Sequence, residues 1–164
     1  YMKTAGHYHP LVAGGAVTYP ELYEVLEGEA LYLLQNSDLS DVVVVYASEG
    51  DKVLVPPDYG HVTINRSNKT LKMANFVARD FSSLYEPYRQ KGGGAYFFTR
   101  EGWIKNPKCS QAAELRRIEA PDRAGLARIG LAKGREMYPL LREPGALEFL
   151  SRPDEHQDLF HGLI

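Results

Sequence analysis

Short apolar runs separated by turn residues fill the first half of the chain and decide its class of fold. The stretch from Glu21 to Val77 contains the runs ELYEVL, ALYLLQ, VVVVY, KVLVP, HVTIN and LKMANFV, with EGE, NSDLSD, SEGD and RSNK between them. Enrichment in Val, Tyr, Leu and Ile at a spacing of roughly 8 to 12 residues is typical of an antiparallel sandwich or barrel. The sequence therefore predicts an all-β fold.

The spacing of apolar residues changes at two points in the second half of the chain. FSSLYEPYRQKGGG has no clear period and predicts a long loop, while AYFFT and GWIKNP predict two further short strands. Beyond Pro121, apolar residues recur at intervals of three and four and are interrupted by Pro and Gly, which favours short amphipathic helices. We therefore divide the chain into a β-barrel over 1–118 and a helical C-terminal extension over 119–164.

Composition narrows the class of partner. A chain of 164 residues is the length of one domain, and its net charge of −2 comes without a block of Lys or Arg, which argues against nucleic acid and against an anionic membrane. Cys109 is the single cysteine, and neither a signal peptide nor a long apolar run is visible, so we expect a soluble cytoplasmic protein. Because the first residue is Tyr and not Met, we also expect sheet strands on its N-terminal side.

Two histidines in GHYH are the first candidates for chemistry. Residues i and i+2 of a strand project to the same face, so His7 and His9 can converge on one point. A histidine beside a tyrosine on a strand is more often a half-exposed surface residue than a ligand. However, Glu21 heads the next strand, which ends in a turn at Gly28, and His61 follows the tight turn PPDYG. Such a set, meeting at a barrel mouth, can hold a first-row divalent metal.

The spacing of these residues resembles the two signature motifs of the cupin superfamily, G-x5-H-x-H-x(3–4)-E-x6-G and G-x5-P-x-G-x2-H-x3-N. The matching positions are His7, His9, Glu21 and Gly28, with Gly6 directly before His7, followed by Gly50, Pro56, His61 and Asn65. Asp58 stands where the family has glycine, and the stretch from His9 to Glu21 is longer than usual, as expected of a loop inserted at the barrel mouth. The resemblance implies a cupin fold, which is a double-stranded β-helix or jelly-roll barrel.

Within that superfamily, KTAGHYHP, PELYEVLEGEALYLLQ and VPPDYGHVTINRS resemble the cupin-type glucose-6-phosphate isomerases of archaea and some bacteria. The resemblance implies four metal ligands, which are His7, His9, Glu21 and His61. It also implies substrate contacts from Thr4, the backbone of Gly6 and Tyr23. A tyrosine on a late strand of the family corresponds by ungapped counting to Val77, and Tyr85 in the following loop is our candidate replacement.

The implied reaction is an aldose–ketose isomerisation of a phosphorylated sugar by a homodimer. A divalent metal, Fe²⁺ first and Mn²⁺, Ni²⁺, Co²⁺ or Zn²⁺ as alternatives, would stabilise negative charge on the two oxygens, while Glu21 moves a proton between neighbouring carbons. A metal-assisted hydride shift is the competing route.

Two other functions are compatible with the same residues. Three histidines and a glutamate equally suit the ferrous iron of a cupin dioxygenase, and a non-catalytic sugar-binding cupin would keep the fold without turnover. A polar site that accepts an anion favours the isomerase, and KTAG beside the ligands supports it.

Overall fold

β-Strands are the main regular secondary structure of the described residues. A computed structural model describes residues 2–120, 126–127 and 129–164. The strands, in chain order, are β1 (Met2–Lys3), β2 (Glu21–Glu27), β3 (Glu29–Asn36), β4 (Val42–Ser48), β5 (Lys52–Val55), β6 (Tyr59–Asn65), β7 (Lys72–Val77), β8 (Tyr96–Thr99), β9 (Gly102–Lys105) and β10 (Leu115–Glu119). A five-stranded sheet has the order β1-β6-β3-β4-β10, a three-stranded sheet has the order β5-β2-β7, and β8 pairs with β9. The predicted strands of AYFFT and GWIKNP are thus confirmed.

The five-stranded sheet is buried on both faces, which explains why its central strands read as almost continuous apolar runs. On β3, alternate side chains separate into two clusters because successive residues of a strand point to opposite faces. Tyr32 and Leu34 pack with Tyr23 of the three-stranded sheet. Leu31 and Leu33 face the opposite way, in a cluster that continues into the β8–β9 hairpin. The two sheets therefore form a sandwich, with the hairpin as a further layer.

The C-terminal segment covers the outer face of the three-stranded sheet. Leu22 of β2 and Leu54 of β5 point away from the sandwich interior and pack with Met137, Phe149 and Leu150. The segment thus completes a fourth layer and buries a sheet face that local sequence alone would leave open to solvent.

The helical expectations are confirmed only in part. The stretch predicted as a long loop contains a helix, α1 (Glu86–Lys91), with Pro87 in its first turn and Gly92, at φ 71°, as its C-cap. The prediction of a loop was wrong there because six residues are too few to show a helical period.

Among its described residues, the C-terminal segment holds a four-residue α-helix, α2 (Gln157–Phe160), helical residues at 126–127, and short 3-10 turns at Tyr138–Arg142, Glu148–Leu150 and Pro153–His156. Its frequent Pro and Gly residues interrupt the hydrogen-bond ladder that longer helices need. The part of the helical prediction that falls on 121–125 and 128 lies outside the described residues.

The all-β class is confirmed, but the closed barrel is not. Among the described residues, the five-stranded and three-stranded sheets face each other without hydrogen bonds between their edge strands. The same part of the chain has no helix with the length and apolar character needed to cross a bilayer.

Candidate metal centre

The four side chains named as ligands from the sequence meet at one point. Oε2 of Glu21 lies 3.2 Å from Nε2 of His61, 3.3 Å from Nε2 of His9 and 3.8 Å from Nε2 of His7. Glu21 is the first residue of β2 and His61 lies on β6, so the two facing sheets contribute one candidate ligand each. His7 is held beside His61 by a pair of backbone hydrogen bonds of 3.0 and 3.3 Å.

Two of the imidazoles have a defined tautomer. Nδ1 of His9 lies 2.8 Å from the carbonyl oxygen of Tyr19, and Nδ1 of His7 lies 3.2 Å from that of Ala5. A carbonyl oxygen only accepts, so each Nδ1 carries a hydrogen and donates it. In the neutral ring, Nε2 is then left with its lone pair directed at Glu21. Metal-binding histidines are commonly oriented by such a second hydrogen bond.

This arrangement fits a bound cation. Lone pairs on Nε2 of His7 and His9 face the lone pairs of a carboxylate that is only 3% exposed, and these groups repel one another unless a cation or added protons lie between them. The ligand atoms of His7, His9 and Glu21 all lie within 4.8 Å of one another, and His61 joins the group through its contact with Glu21. Imidazole nitrogens with one carboxylate oxygen suit a first-row divalent metal.

The protonation states are those that a metal site requires. Burial raises the pKa of Glu21, but hydrogen bonds from His61, His7 and His9, which form when these rings carry a proton on Nε2, outweigh that effect and hold the pKa well below its usual range. Burial is the main cause that lowers the pKa of His61, so this imidazole is neutral at pH 7. An ionised carboxylate and a neutral imidazole are the forms that bind metals.

Aromatic rings lie next to the histidines of the cluster. The Phe81 ring stacks on Tyr19 with centroids 4.6 Å apart and also lies 4.6 Å from the ring of His9. The Tyr85 ring lies 5.2 Å from that of His7 and is 40% exposed. Tyr85, our candidate substrate contact, therefore lies next to the cluster, and Phe81 was not predicted because it lies in a loop without periodicity.

Tyr23 lies on the Glu21 face of β2, as strand alternation predicts. Its hydroxyl is 3.0 Å from Nε2 of His61, and the side chain is buried. Burial and the neighbouring charge of Glu21 raise the pKa of Tyr23 far above its usual range, so the phenol keeps its proton. A neutral hydroxyl can therefore donate a hydrogen bond inside the site.

Thr4 and Gly6 occupy the segment that leads into the ligands. Oγ1 of Thr4 accepts a hydrogen bond of 2.9 Å from the Thr63 amide, while its own hydrogen faces the Thr63 carbonyl oxygen at 3.5 Å, which is too long for a good bond. The donor of Thr4 thus remains free for another acceptor. At Gly6, an added Cβ would lie 2.2 Å from the Tyr88 ring, so only glycine lets the backbone pass there.

The extra residues between His9 and Glu21 form a small hairpin that is closed by a bridge between Leu11 and Thr18. Thr18 and Asp58 are joined twice, because the Asp58 amide donates to Oγ1 of Thr18 at 2.6 Å and the Thr18 amide donates to the Asp58 carboxylate at 3.2 Å. Asp58 has φ 69°, which explains why glycine is the usual residue at this motif position.

One contact of the site has no signal in the sequence. Nδ2 of Asn75, on β7, donates a hydrogen bond of 2.6 Å to Oε1 of Glu21. Asn75 lies directly opposite Tyr23 in the ladder between β7 and β2, and this register is set by the sheet rather than by local pattern.

Comparison with known proteins agrees with the geometry. The family model described as Glucose-6-phosphate isomerase (GPI) matches residues 1–114, a stretch that includes all four clustered side chains. A search of the curated proteins finds no match. The family match covers well over half of the 164 residues, and the chain therefore belongs to the cupin-type glucose-6-phosphate isomerase (GPI) family.

Proposed function

We propose that this chain is a metal-dependent aldose–ketose isomerase that interconverts glucose 6-phosphate and fructose 6-phosphate on a cupin-type jelly roll. The observation that carries the proposal is the convergence of three imidazole nitrogens on one buried carboxylate oxygen, in a chain of the GPI family. Neither part suffices alone, because the family match names an activity and the cluster supplies groups that can perform it.

The ligands in this proposal are His7, His9, Glu21 and His61. When bound, the metal supplies a Lewis acid that stabilises negative charge on the two oxygens of the reacting carbons. Fe²⁺ is our first candidate, and Mn²⁺, Ni²⁺, Co²⁺ and Zn²⁺ suit the same donors.

Glu21 is the proposed base. A carboxylate that binds a metal tightly is a poorer base, so this role requires that Glu21 coordinate the metal weakly or leave it when the sugar binds. In the forward direction Glu21 takes the proton from carbon 2 of the open-chain aldose and returns it to carbon 1, while the hydroxyl proton on oxygen 2 moves to oxygen 1, which yields the ketose. The neutral Tyr23 hydroxyl, close to His61, can donate a hydrogen bond to a sugar oxygen.

A cleft that reaches Thr63, two residues beyond His61 on β6, supports recognition of a phosphate group. Its volume is about 460 Å³, and its wall includes Lys3, Thr4, Thr63 and Lys69. The hydroxyl of Thr63 is buried and has no hydrogen-bond partner among the described residues. Thr63 follows His61 by two positions on β6, so both side chains point to the same face. The ammonium groups of Lys3 and Lys69 and the hydroxyls of Thr4 and Thr63 are suitable donors for the phosphate group of a sugar phosphate.

We further propose that Gly6 and Tyr85 contact the substrate from the other side of the ligands. Tyr85 is partly exposed beside His7, and Gly6 directly precedes His7 in the chain. We also propose that the protein is a cytoplasmic homodimer that acts without nucleic acid or membrane. In each copy, 1–118 would form the cupin domain and 119–164 a C-terminal extension.

A coupled assay tests the proposed function. Protein stripped with a chelator is mixed with fructose 6-phosphate, and glucose 6-phosphate is followed through a dehydrogenase before and after each divalent metal is added back. We expect no turnover without metal and recovery with at least one metal. His9→Ala is the matched inactive variant and should not recover. Metal binding without turnover would contradict the proposal and favour a sugar-binding cupin, whereas oxygen uptake without isomerisation would favour a dioxygenase.

A further inference from the structure

The two carboxylate oxygens of Glu21 have different neighbours. Oε2 is the oxygen that faces the imidazoles of His7, His9 and His61. Oε1 accepts the hydrogen bond of 2.6 Å from the Asn75 amide. One oxygen is thus directed to the ligand cluster, and the other is held by a neutral donor from a different strand.

The identity of the donor follows from chemistry. A carboxylate oxygen accepts hydrogen bonds, and Oε1 of Glu21 lies 2.6 Å from the Asn75 side-chain amide while Oε2 faces the imidazoles. The side-chain atom of Asn75 that lies against Oε1 must therefore be the nitrogen, because the amide oxygen in that position would repel the carboxylate.

Asn75 reaches Glu21 along a diagonal of the sheet. In the ladder between β2 and β7, Glu21 lies opposite Val77 and Asn75 lies opposite Tyr23. Diagonal neighbours on one sheet face are within reach of longer side chains. Glu21 is 3% exposed, whereas Asn75 is exposed, so a residue that solvent reaches donates its amide hydrogen to a buried carboxylate.

We propose that Asn75 is a positioning residue that holds the Glu21 carboxylate in the orientation required for metal binding. The terminal torsion of a glutamate is broad and has no strong intrinsic preference, so an external donor is needed to select one orientation. This inference rests on the metal site of the proposed function. Without the amide, the carboxylate can rotate and present either oxygen to the metal.

Cobalt binding tests the inference without relying on activity. Chelator-stripped protein is titrated with Co²⁺, and both the dissociation constant and the visible absorption bands are recorded. Asn75→Leu keeps a similar side-chain volume and removes the donor. We expect its Co²⁺ affinity to fall by about 10- to 100-fold, as is usual for partners of metal ligands, and its absorption bands to change in position or intensity.

Two further variants separate positioning from packing. Gln90→Leu removes an amide that donates to the carboxylate of Glu86 at 3.3 Å on the surface of α1, and it should leave both readouts unchanged. Asn75→Gln keeps a donor at an exposed position and should recover part of the lost affinity. Equal losses in Asn75→Gln and Asn75→Leu would assign the effect to packing and overturn the inference.

The remaining outcomes distinguish the inference from the proposed function. If the unmodified protein binds Co²⁺ and Asn75→Leu matches it in affinity and spectrum, the inference is overturned and the proposed metal site stands. If the unmodified protein binds no divalent metal, both are overturned.

Discussion

Lys52 and Glu24 form a buried ion pair of 2.9 Å on the outer face of the three-stranded sheet, with side chains only 1% and 6% exposed. The second carboxylate oxygen of Glu24 accepts a hydrogen bond of 2.9 Å from the Met137 amide, and Lys52 also donates to the Gly50 carbonyl oxygen at 2.9 Å. The pair therefore joins the C-terminal segment to the sheet that carries Glu21.

Removing one member of this pair should destabilise the protein strongly. Lys52→Met leaves the Glu24 carboxylate buried without its cation, which typically costs about 3 to 5 kcal/mol. Urea unfolding followed by circular dichroism measures the loss. The double variant Glu24→Gln with Lys52→Met removes both charges and should recover much of it. A loss below about 1 kcal/mol in Lys52→Met would show that water reaches the pair.

The stability of the protein should depend on Asp41 at acidic pH. Arg116 donates two hydrogen bonds to its carboxylate at 2.7 and 2.8 Å and is the main cause that lowers the pKa of Asp41. A carboxyl with a lower pKa in the folded state stabilises that state above its unfolded pKa, about 3.9. This stabilisation disappears as the pH falls through the folded pKa.

Asp41→Asn removes that contribution. Its free energy of unfolding should be lower than that of the parent protein by about 1 kcal/mol at pH 7, because the pair with Arg116 is partly exposed. The difference should shrink between pH 4 and pH 2.5, as measured by urea unfolding at each pH. A difference that stays constant over this window would contradict the role of Asp41 ionisation.

The backbone at Asp58 predicts an unusual order of stability. Alanine at φ 69° keeps the cost of a left-handed conformation and loses the hydrogen bond from Thr18, whereas glycine removes the cost. Asp58→Gly should therefore be more stable than Asp58→Ala by about 1 kcal/mol in thermal or urea unfolding. The reverse order would mean that the turn before His61 changes conformation in the variants.

Glu21→Gln tests the route of hydrogen transfer. If Glu21 moves a proton, kcat should fall by about 10²- to 10⁴-fold with a smaller change in KM. In D₂O, the unmodified protein should place solvent deuterium on carbon 1 or carbon 2 of the product, because a proton on a carboxylate exchanges with solvent. Product without deuterium, detected by mass spectrometry, would instead indicate a direct hydride shift.

Local alternation predicted the strands, whereas the spacing of the cupin motifs identified the four clustered side chains. The residues of ELYEVL point alternately to two faces, and this places Glu21 and Tyr23 together in the interior, where the structure has them. The spacing of the second cupin motif also aligned Asp58 with a position where the family has glycine. The positive φ of Asp58 explains why glycine is usual there.

Contacts between distant segments had no local signal. Glu24 and Lys52 look like exposed charges in their own strands, and they are buried only because the segment around Met137 covers them. Asn75 contacts Glu21 through the register between β7 and β2, which no pattern within LKMANFV determines. Sequence alone thus identified the cluster but not the residues that support it.

The most direct test of the account is an anomalous difference map from crystals loaded with Co²⁺, recorded at the cobalt absorption edge. The account predicts one strong peak in contact with His7, His9, Glu21 and His61. A map with no peak among these four side chains, from crystals in which the protein is otherwise folded as described, would contradict it.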